Sequence, residues 1–186
     1  RGQLGALVQP LVAAGHRVVA HDAPSHGESQ PGILGARRST VLEMAEAVRA
    51  VTRHFGAPAG VVTHSLGAVA VVVAMADGLS MPRVVFVAPT VSPMDAVARF
   101  AGVLGLSNST RAGMIRRLET FLDRPVSDFD ALTSLPSPRP PALVIHDRDD
   151  REVAFDEAVR LVRAWPDSEL VTTHGLGHHR LLADPP

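Results

Sequence analysis

Apolar residues along the chain fall into two kinds of segment, and the first kind is short, rich in valine and mostly continuous. A continuous apolar run of this length is typical of a strand in a parallel sheet that is covered on both faces. The pattern predicts strands at 17–22, 59–64, 83–88, 141–147 and 169–174.

The second kind of segment repeats its apolar positions with the period of a helix. Near the N-terminus, one helical face that ends before Gly15 is made of Leu4, Leu7, Val8, Leu11 and Val12. Further helices are predicted at about 41–55, 66–76 and 155–165. Thr40 and Glu43 have the spacing of a capping box at the start of the first of these. Because helices alternate with strands, we expect an α/β fold with a mostly parallel sheet, as a single domain over residues 1–186.

Residues 89–140 interrupt this alternation. They contain helical patterns at about 94–104, 110–122 and 127–133 and no convincing strand pattern. The segment leads into LPSPRPPA, a proline-rich stretch that favours an extended linker. We therefore interpret residues 89–140 as a small helical insertion.

Composition narrows the classes of partner. The 186 residues are 46% hydrophobic, enough for one sizeable core, and 18 basic against 19 acidic residues give a net charge of −1. This balance argues against nucleic acid or an anionic membrane as the main partner and favours a small molecule. The longest apolar run, 69–76, is too short to span a bilayer. Because the sequence has no cysteine, we expect no disulfide or thiolate chemistry and a cytoplasmic location.

Polar residues follow the predicted strands directly, at the carboxyl ends where open parallel sheets place their chemistry. Ser65 follows the second strand in a strand–turn–helix context that suits a nucleophile elbow, with Gly67 as a small neighbour. The amide of Leu66, at the start of the next helix, is expected to hold an oxyanion. The spacing alone fits an ordinary small residue in a tight turn equally well.

A serine hydroxyl becomes a nucleophile when a histidine accepts its proton and an acid orients that histidine. The fourth predicted strand is followed by an aspartate cluster and the fifth by a histidine loop, HGLGHHR. The order serine, acid, histidine along the chain differs from the chymotrypsin and subtilisin orders and belongs to another hydrolase superfamily.

Four stretches in this order resemble the motifs of the α/β-hydrolase fold family. They are RVVAHDAPSHGES for its strand and loop, VVTHSLGA for its elbow, PALVIHDRDDREV for its acid strand and LVTTHGLGHHRLL for its histidine loop. The resemblance implies a serine hydrolase, esterase-like or lipase-like, that acts on a carboxylic ester or related small acyl substrate without metal or cofactor. It also implies that residues 89–140 form a cap or lid that shapes the substrate pocket.

The resemblance assigns Ser65 as nucleophile and favours His178 as base over His179, because Gly177-His178 matches the family's Gly-His step. The acid could be Asp147, Asp149 or Asp150. The family's Gly-x-x-Asp motif places Asp147 in the glycine position and the acid at Asp150, and Asp149 stays open as the alternative.

The remaining histidines are given structural roles. His64, beside the serine, is expected to pack or to form a structural hydrogen bond, and His26 to hold the turn near Asp22. His21, His146 and His174 end three predicted strands, but no helical His-x-x-x-His pattern supports a metal site.

Two departures from the family affect the predicted activity. Thr63 replaces the small residue usual two positions before the nucleophile, and its β-branched side chain crowds the turn. The family's oxyanion strand and loop should precede the helix near Gln3, whereas the sequence starts at Arg1. We therefore interpret the chain as an N-terminally truncated fragment, with lower ester turnover and stability than an extended form. The alternative function is a catalytically impaired or non-catalytic binding domain with the same fold.

The missing strand also affects the predicted sheet. In the family it lies between the strands predicted here at 17–22 and 59–64. Its absence is expected either to leave strand edges unpaired or to bring these two strands together.

Overall fold

The structure is a computed structural model that describes residues 4–133, 135 and 137–181. Four parallel strands form one sheet in the order β1-β2-β3-β4, with the bounds β1 Val61–His64, β2 Val84–Val87, β3 Ala142–Asp147 and β4 Ser168–Thr173. The first residues of the strands, Val61, Val84, Ala142 and Ser168, lie in one row across the sheet. A parallel sheet flanked by helices confirms the predicted α/β fold.

Helices occupy the segments between the strands. Within the described residues, α1 to α7 span Val8–Ala13, Val41–Phe55, Gly67–Ala76, Pro93–Val103, Asn108–Leu122, Phe155–Ala164 and Gly177–Arg180. Two 3-10 helices, Gly5–Leu7 and Val126–Phe129, precede α1 and follow α5. The helices predicted outside the insertion are confirmed. None of the helices in the described part of the chain combines the length and apolarity needed to cross a membrane.

Helix α3 is the most deeply buried helix, because all of residues 68–75 are buried. These residues are alanine, valine and methionine, so the helix has no polar face and must be covered on every side. Strand β1 and helix α2 pack against it. It shares one core with Phe86 of β2, Val144 of β3 and Trp165, which directly follows α6. This packing fixes the start of α3, and with it the preceding turn, against the sheet.

The strand predicted at 17–22 is wrong, because residues 15–23 contain no strand or helix. A strand needs hydrogen bonds to a neighbouring strand, and this segment pairs with none of the strands described, while β1 is an edge of the sheet. Among the described strands, β1 has β2 as its one neighbour, and the expected pairing of a 17–22 strand with β1 does not occur. Arg17 instead fixes the segment to the end of α2, where it donates to the Phe55 carbonyl at 2.7 Å and lies over the Phe55 ring.

The described part of the segment between β2 and β3 contains helices and no strand. It contains α4, α5 and the 3-10 helix Val126–Phe129, which is shorter than the helix predicted at 127–133. Buried Glu157 on α6 accepts from the Val91 amide and from Arg99, each at 2.8 Å, so it ties the start of the insertion to the main domain. Position 136 of the proline-rich linker lies outside the described residues. A role as a cap over the site stays a prediction.

Candidate active site

Ser65 lies in the turn between β1 and α3 with a left-handed backbone, φ +53°. Its amide donates to the Val87 carbonyl at 3.1 Å, so the sheet ladder continues up to this residue. Its carbonyl accepts from the amides of Ala68 and Thr90 at 3.0 and 3.2 Å. A residue other than glycine in this conformation is strained and persists only where its surroundings hold it. A nucleophile elbow requires a strained turn of this kind between a strand and a helix.

The residues beside Ser65 accommodate this turn. A Cβ atom on Gly67 would lie 3.7 Å from Thr63 Cβ, which is ordinary van der Waals contact. Thr63 is buried, and its hydroxyl has no hydrogen-bond partner within the part of the chain that the structure describes. Its β-branched side chain therefore fits against the turn as an apolar group would.

Leu66 is the N-cap residue of α3, and no side chain caps that end of the helix. The free amides at a helix N-terminus carry partial positive charge and attract anions. The Leu66 amide therefore lies next to the serine at the electropositive end of a buried helix, and its role as an oxyanion donor stays a prediction.

His178 and Asp150 form a buried hydrogen-bonded pair. The Nδ1 atom of His178 lies 2.7 Å from Asp150 Oδ2, and the side chains are 4% and 0% exposed. Because an ionised carboxylate only accepts, Nδ1 carries the proton and Nε2 is left to accept one. Among the described residues, no hydrogen bond joins Ser65 to His178.

The Asp150 carboxylate is held in its ionised form. Its Oδ1 atom accepts from the amides of Glu152 and Val153 at 2.8 and 2.9 Å. Burial raises the pKa of Asp150, but the Val153 amide, the His178 ring and the Glu152 amide together outweigh it and lower the pKa below its usual value. A charged Asp150 can orient His178 and stabilise its protonated ring.

The two alternative residues considered for these roles have other partners. Asp149 Oδ2 accepts from the Gly175 amide at 2.8 Å. His179 Nε2 lies 2.9 Å from Glu152 Oε1, with both side chains more than half exposed. The structure therefore pairs Asp150 with His178, and Asp149 contributes to the loop that carries the histidine.

His64 connects the serine turn to the histidine loop. Its Nε2 atom lies 3.0 Å from the carbonyl oxygen of His178, and the two rings are 4.7 Å apart. A carbonyl only accepts, so Nε2 is the protonated nitrogen of this ring. Burial lowers the pKa of His64 below its usual value, so the ring is neutral at pH 7. This is a structural hydrogen bond of the kind predicted for His64.

Two residues around the acid have roles that the sequence did not predict, although Asp147 was one of the three candidates for the acid itself. His146, fully buried, lies 3.2 Å through Nε2 from Asp150 Oδ2 and 3.1 Å from the Val153 carbonyl. Asp147, also fully buried, accepts hydrogen bonds from the histidine loop. Polar residues that end a strand rich in buried apolar positions were the available signal, because such groups need partners inside the fold.

Among the described residues, no group of three metal-ligating side chains could hold a metal ion.

The loop after residue 22 is held by hydrogen bonds within itself. His26 Nδ1 lies 2.9 Å from the Pro24 carbonyl, and Asp22 accepts from the Glu28 amide.

Comparison with known proteins gives one family. The model of a family described as the alpha/beta hydrolase family matches residues 3–186. None of the curated protein sequences gives a significant match.

Solved structures share the fold. A monoacylglycerol lipase of Paleococcus ferrophilus superposes with a TM-score of 0.69 at 23% identity, over 95% of this chain and 80% of that one. A carboxylesterase of Nitrososphaera gargenis has a TM-score of 0.68 at 15% identity, over 98% and 80%. A thermophilic esterase of Thermogutta terrifontis has a TM-score of 0.66 at 19% identity, over 98% and 79%.

Proposed function

Because the chain belongs to the alpha/beta hydrolase family, we propose that it is a serine hydrolase that cleaves a carboxylic ester or a related small acyl substrate. The observation that carries this proposal is the buried Asp150–His178 hydrogen bond of 2.7 Å, joined through His64 to the left-handed turn at Ser65. The similar solved structures include a monoacylglycerol lipase and esterases, which supports an acyl ester as the first substrate class to test.

In the proposed reaction, Ser65 Oγ attacks the carbonyl carbon while its proton passes to His178 Nε2. The Leu66 amide stabilises the negative oxygen that develops on the carbonyl, and Asp150 stabilises the protonated His178 ring. The alcohol leaves with the proton from His178, which leaves an acyl group on Ser65. Water, deprotonated by His178, then releases the carboxylic acid and restores the serine. This sequence of steps needs no metal or other cofactor.

The helical segment 89–140 is proposed to cover the site and shape the acyl pocket. It enters the fold directly after β2, whose residue Val87 accepts from the Ser65 amide. The Thr90 amide, near the start of the segment, donates to the Ser65 carbonyl. These contacts connect the segment to the nucleophile turn, which supports a role in substrate selection.

Covalent labelling tests the proposed nucleophile. A fluorophosphonate probe is expected to label the folded protein stoichiometrically, because only an activated serine reacts. Labelling should disappear in Ser65→Ala and persist in Ser109→Ala, which removes an exposed hydroxyl on α5. The ester that turns over fastest in a panel of acyl chain lengths would then identify the substrate class.

The same experiment separates the two candidate functions. A cooperatively folded sample that takes up no probe and hydrolyses no ester would contradict the proposal. The chain would then be a non-catalytic binding domain that retains the fold.

A further inference from the structure

Asp147 is a fully buried carboxylate that the reaction above does not use. It is the last residue of β3 and lies beside Thr173, the last residue of β4. A charge in this position is costly unless hydrogen bonds compensate for its lost hydration. Its partners therefore indicate what the residue does in this fold.

Every partner of the Asp147 carboxylate is a donor. Oδ2 accepts from the Thr173 hydroxyl at 2.7 Å and from the Leu176 amide at 3.1 Å. Oδ1 accepts from the Asp149 amide at 2.9 Å. Burial raises the pKa of Asp147, but these donors and the Gly177 amide outweigh it and lower the pKa to about 2. The residue is therefore ionised throughout the range in which the protein can be assayed.

These hydrogen bonds join two loops that are distant in sequence. The Asp149 amide belongs to the loop that supplies Asp150, whereas Leu176 and Gly177 directly precede His178. Asp149 adds a further link, because its own carboxylate accepts from the Gly175 amide at 2.8 Å. We refer to Asp147 and Asp149 together as the carboxylate clamp.

The histidine loop depends on these links for its shape. Gly175 and Gly177 both have left-handed backbones, with φ +76° and +66°, a conformation that glycine adopts without strain. The consecutive amides of residues 175, 176 and 177 donate to the carboxylates of Asp149 and Asp147 instead of to a strand or helix backbone. Carboxylates accepting from these amides replace the hydrogen bonds that regular structure would supply.

We propose that Asp147 is a positioning residue that, through the carboxylate clamp, sets the place of His178 relative to Asp150. The inference rests on the proposed function, in which His178 is the base. Asp147 touches neither the His178 ring nor Ser65 in any hydrogen bond of the described residues, so it acts through the loop. An asparagine at this position offers one acceptor oxygen and an amide that cannot accept, so one of the backbone donors loses its partner.

The test compares Asp147→Asn with Thr173→Val, which removes one donor to the clamp, and with Glu169→Gln. The last variant makes the same carboxylate-to-amide change on an exposed position of β4. Each is assayed for ester turnover, for cooperative unfolding, and by proton NMR for the downfield resonance of the His178–Asp150 hydrogen bond. The resonance needs no substrate, so it reports on the clamp even if the protein hydrolyses no ester.

We expect Asp147→Asn to lower kcat about 10- to 100-fold with KM unchanged, because small displacements of a catalytic group have effects of this size. The downfield resonance should broaden or disappear in folded protein. Thr173→Val should lower kcat and weaken the downfield resonance to a smaller extent. Glu169→Gln should leave kcat and the resonance unchanged. A purely structural role would lower unfolding stability and leave kcat and the resonance of the folded variant intact.

The proposal is overturned if folded Asp147→Asn keeps the wild-type kcat and the wild-type resonance. If Asp147→Asn does not fold, the same criterion applies to Thr173→Val: wild-type kcat and a wild-type resonance in that folded variant overturn the proposal. If the wild type shows the resonance but no ester turnover, the proposed function fails. The resonance still tests the positioning role of Asp147, because its loss in Asp147→Asn supports that role and its persistence contradicts it.

Discussion

A single carboxylate oxygen, Asp150 Oδ2, lies within hydrogen-bond distance of two histidine rings. His178 Nδ1 lies at 2.7 Å and His146 Nε2 at 3.2 Å. The other atom near His146 Nε2 is the Val153 carbonyl at 3.1 Å, so both neighbours accept and this nitrogen carries the proton. Burial lowers the pKa of His146 below its usual value, so the ring donates as a neutral group. His146 thus shares the charge of Asp150 with the proposed base.

Removing this donor should change how strongly His178 holds its proton. In His146→Phe, Asp150 loses one hydrogen bond, and its charge attracts the protonated His178 ring more strongly. The other groups that face Asp150 are the amides of Glu152 and Val153, which the substitution leaves in place. We expect the acidic limb of the kcat/KM profile to move to higher pH by about half a unit, or about 0.7 kcal/mol.

The matched control is His54→Phe, which replaces an exposed histidine on α2 and should leave the profile unchanged. A limb in His146→Phe that stays in place or moves to lower pH would show that His146 does not share the charge of Asp150.

Helix α2 begins at a capping box that also fixes the preceding loop. Thr40 Oγ1 accepts from the Glu43 amide at 3.1 Å, and Glu43 Oε2 accepts from the Thr40 amide at 2.8 Å. The second oxygen of Glu43 accepts from the Ile33 amide at 2.7 Å. Because α2 packs on α3, the cap indirectly supports the helix that follows the serine.

Thr40→Ala is expected to lower the free energy of unfolding by about 1 kcal/mol, because the Glu43 amide loses its acceptor. Urea denaturation measures the loss. Thr120→Ala makes the same change inside α5, where the hydroxyl donates to the Arg116 carbonyl of its own helix. Alanine is the better helix former there, so this control should show little or no loss. Equal midpoints for wild type and Thr40→Ala would rule out a stabilising cap.

Among the described residues, two ion pairs join α4 of the insertion to α6 of the main domain, and they differ in burial. Arg99 on α4 lies 2.8 Å from Glu157 on α6, whose carboxylate is fully buried. Arg160 lies 2.6 Å from Asp95, and both of these side chains are partly exposed. Removing the partner of a buried charge costs more than breaking an exposed pair, because water cannot replace the lost contact.

Arg99→Met should therefore lower the free energy of unfolding by about 2 kcal/mol, since Glu157 keeps only backbone donors. Arg160→Met breaks the other pair between the same two helices and a second exposed pair with Asp156 on α6. It should still cost less than about 1 kcal/mol, because water replaces both contacts. Chemical denaturation of the two variants gives the comparison. Losses of the same size would mean that burial of Glu157 does not strengthen the connection.

Local sequence patterns determined most of the secondary structure. The continuous valine runs predicted four of the observed strands, and the Thr40–Glu43 spacing predicted the capping box. The strand–turn–helix pattern at Ser65 predicted a turn whose left-handed residue the structure shows. These features depend on residues within a few positions of one another, so period and turn chemistry are enough to predict them.

Only the tertiary structure decided which polar groups meet. The resemblance to the α/β-hydrolase family named Asp150 and His178 but left Asp149 open as the acid. The structure pairs Asp150 with His178, 28 positions apart, through the register of β3 against β4, which no local pattern encodes. The same register brings Asp147 to Thr173 and gives a buried role to a residue that the family motif placed in the glycine position. The segment 17–22 has the apolar pattern of a strand but forms none, because a strand exists only through hydrogen bonds to a neighbour.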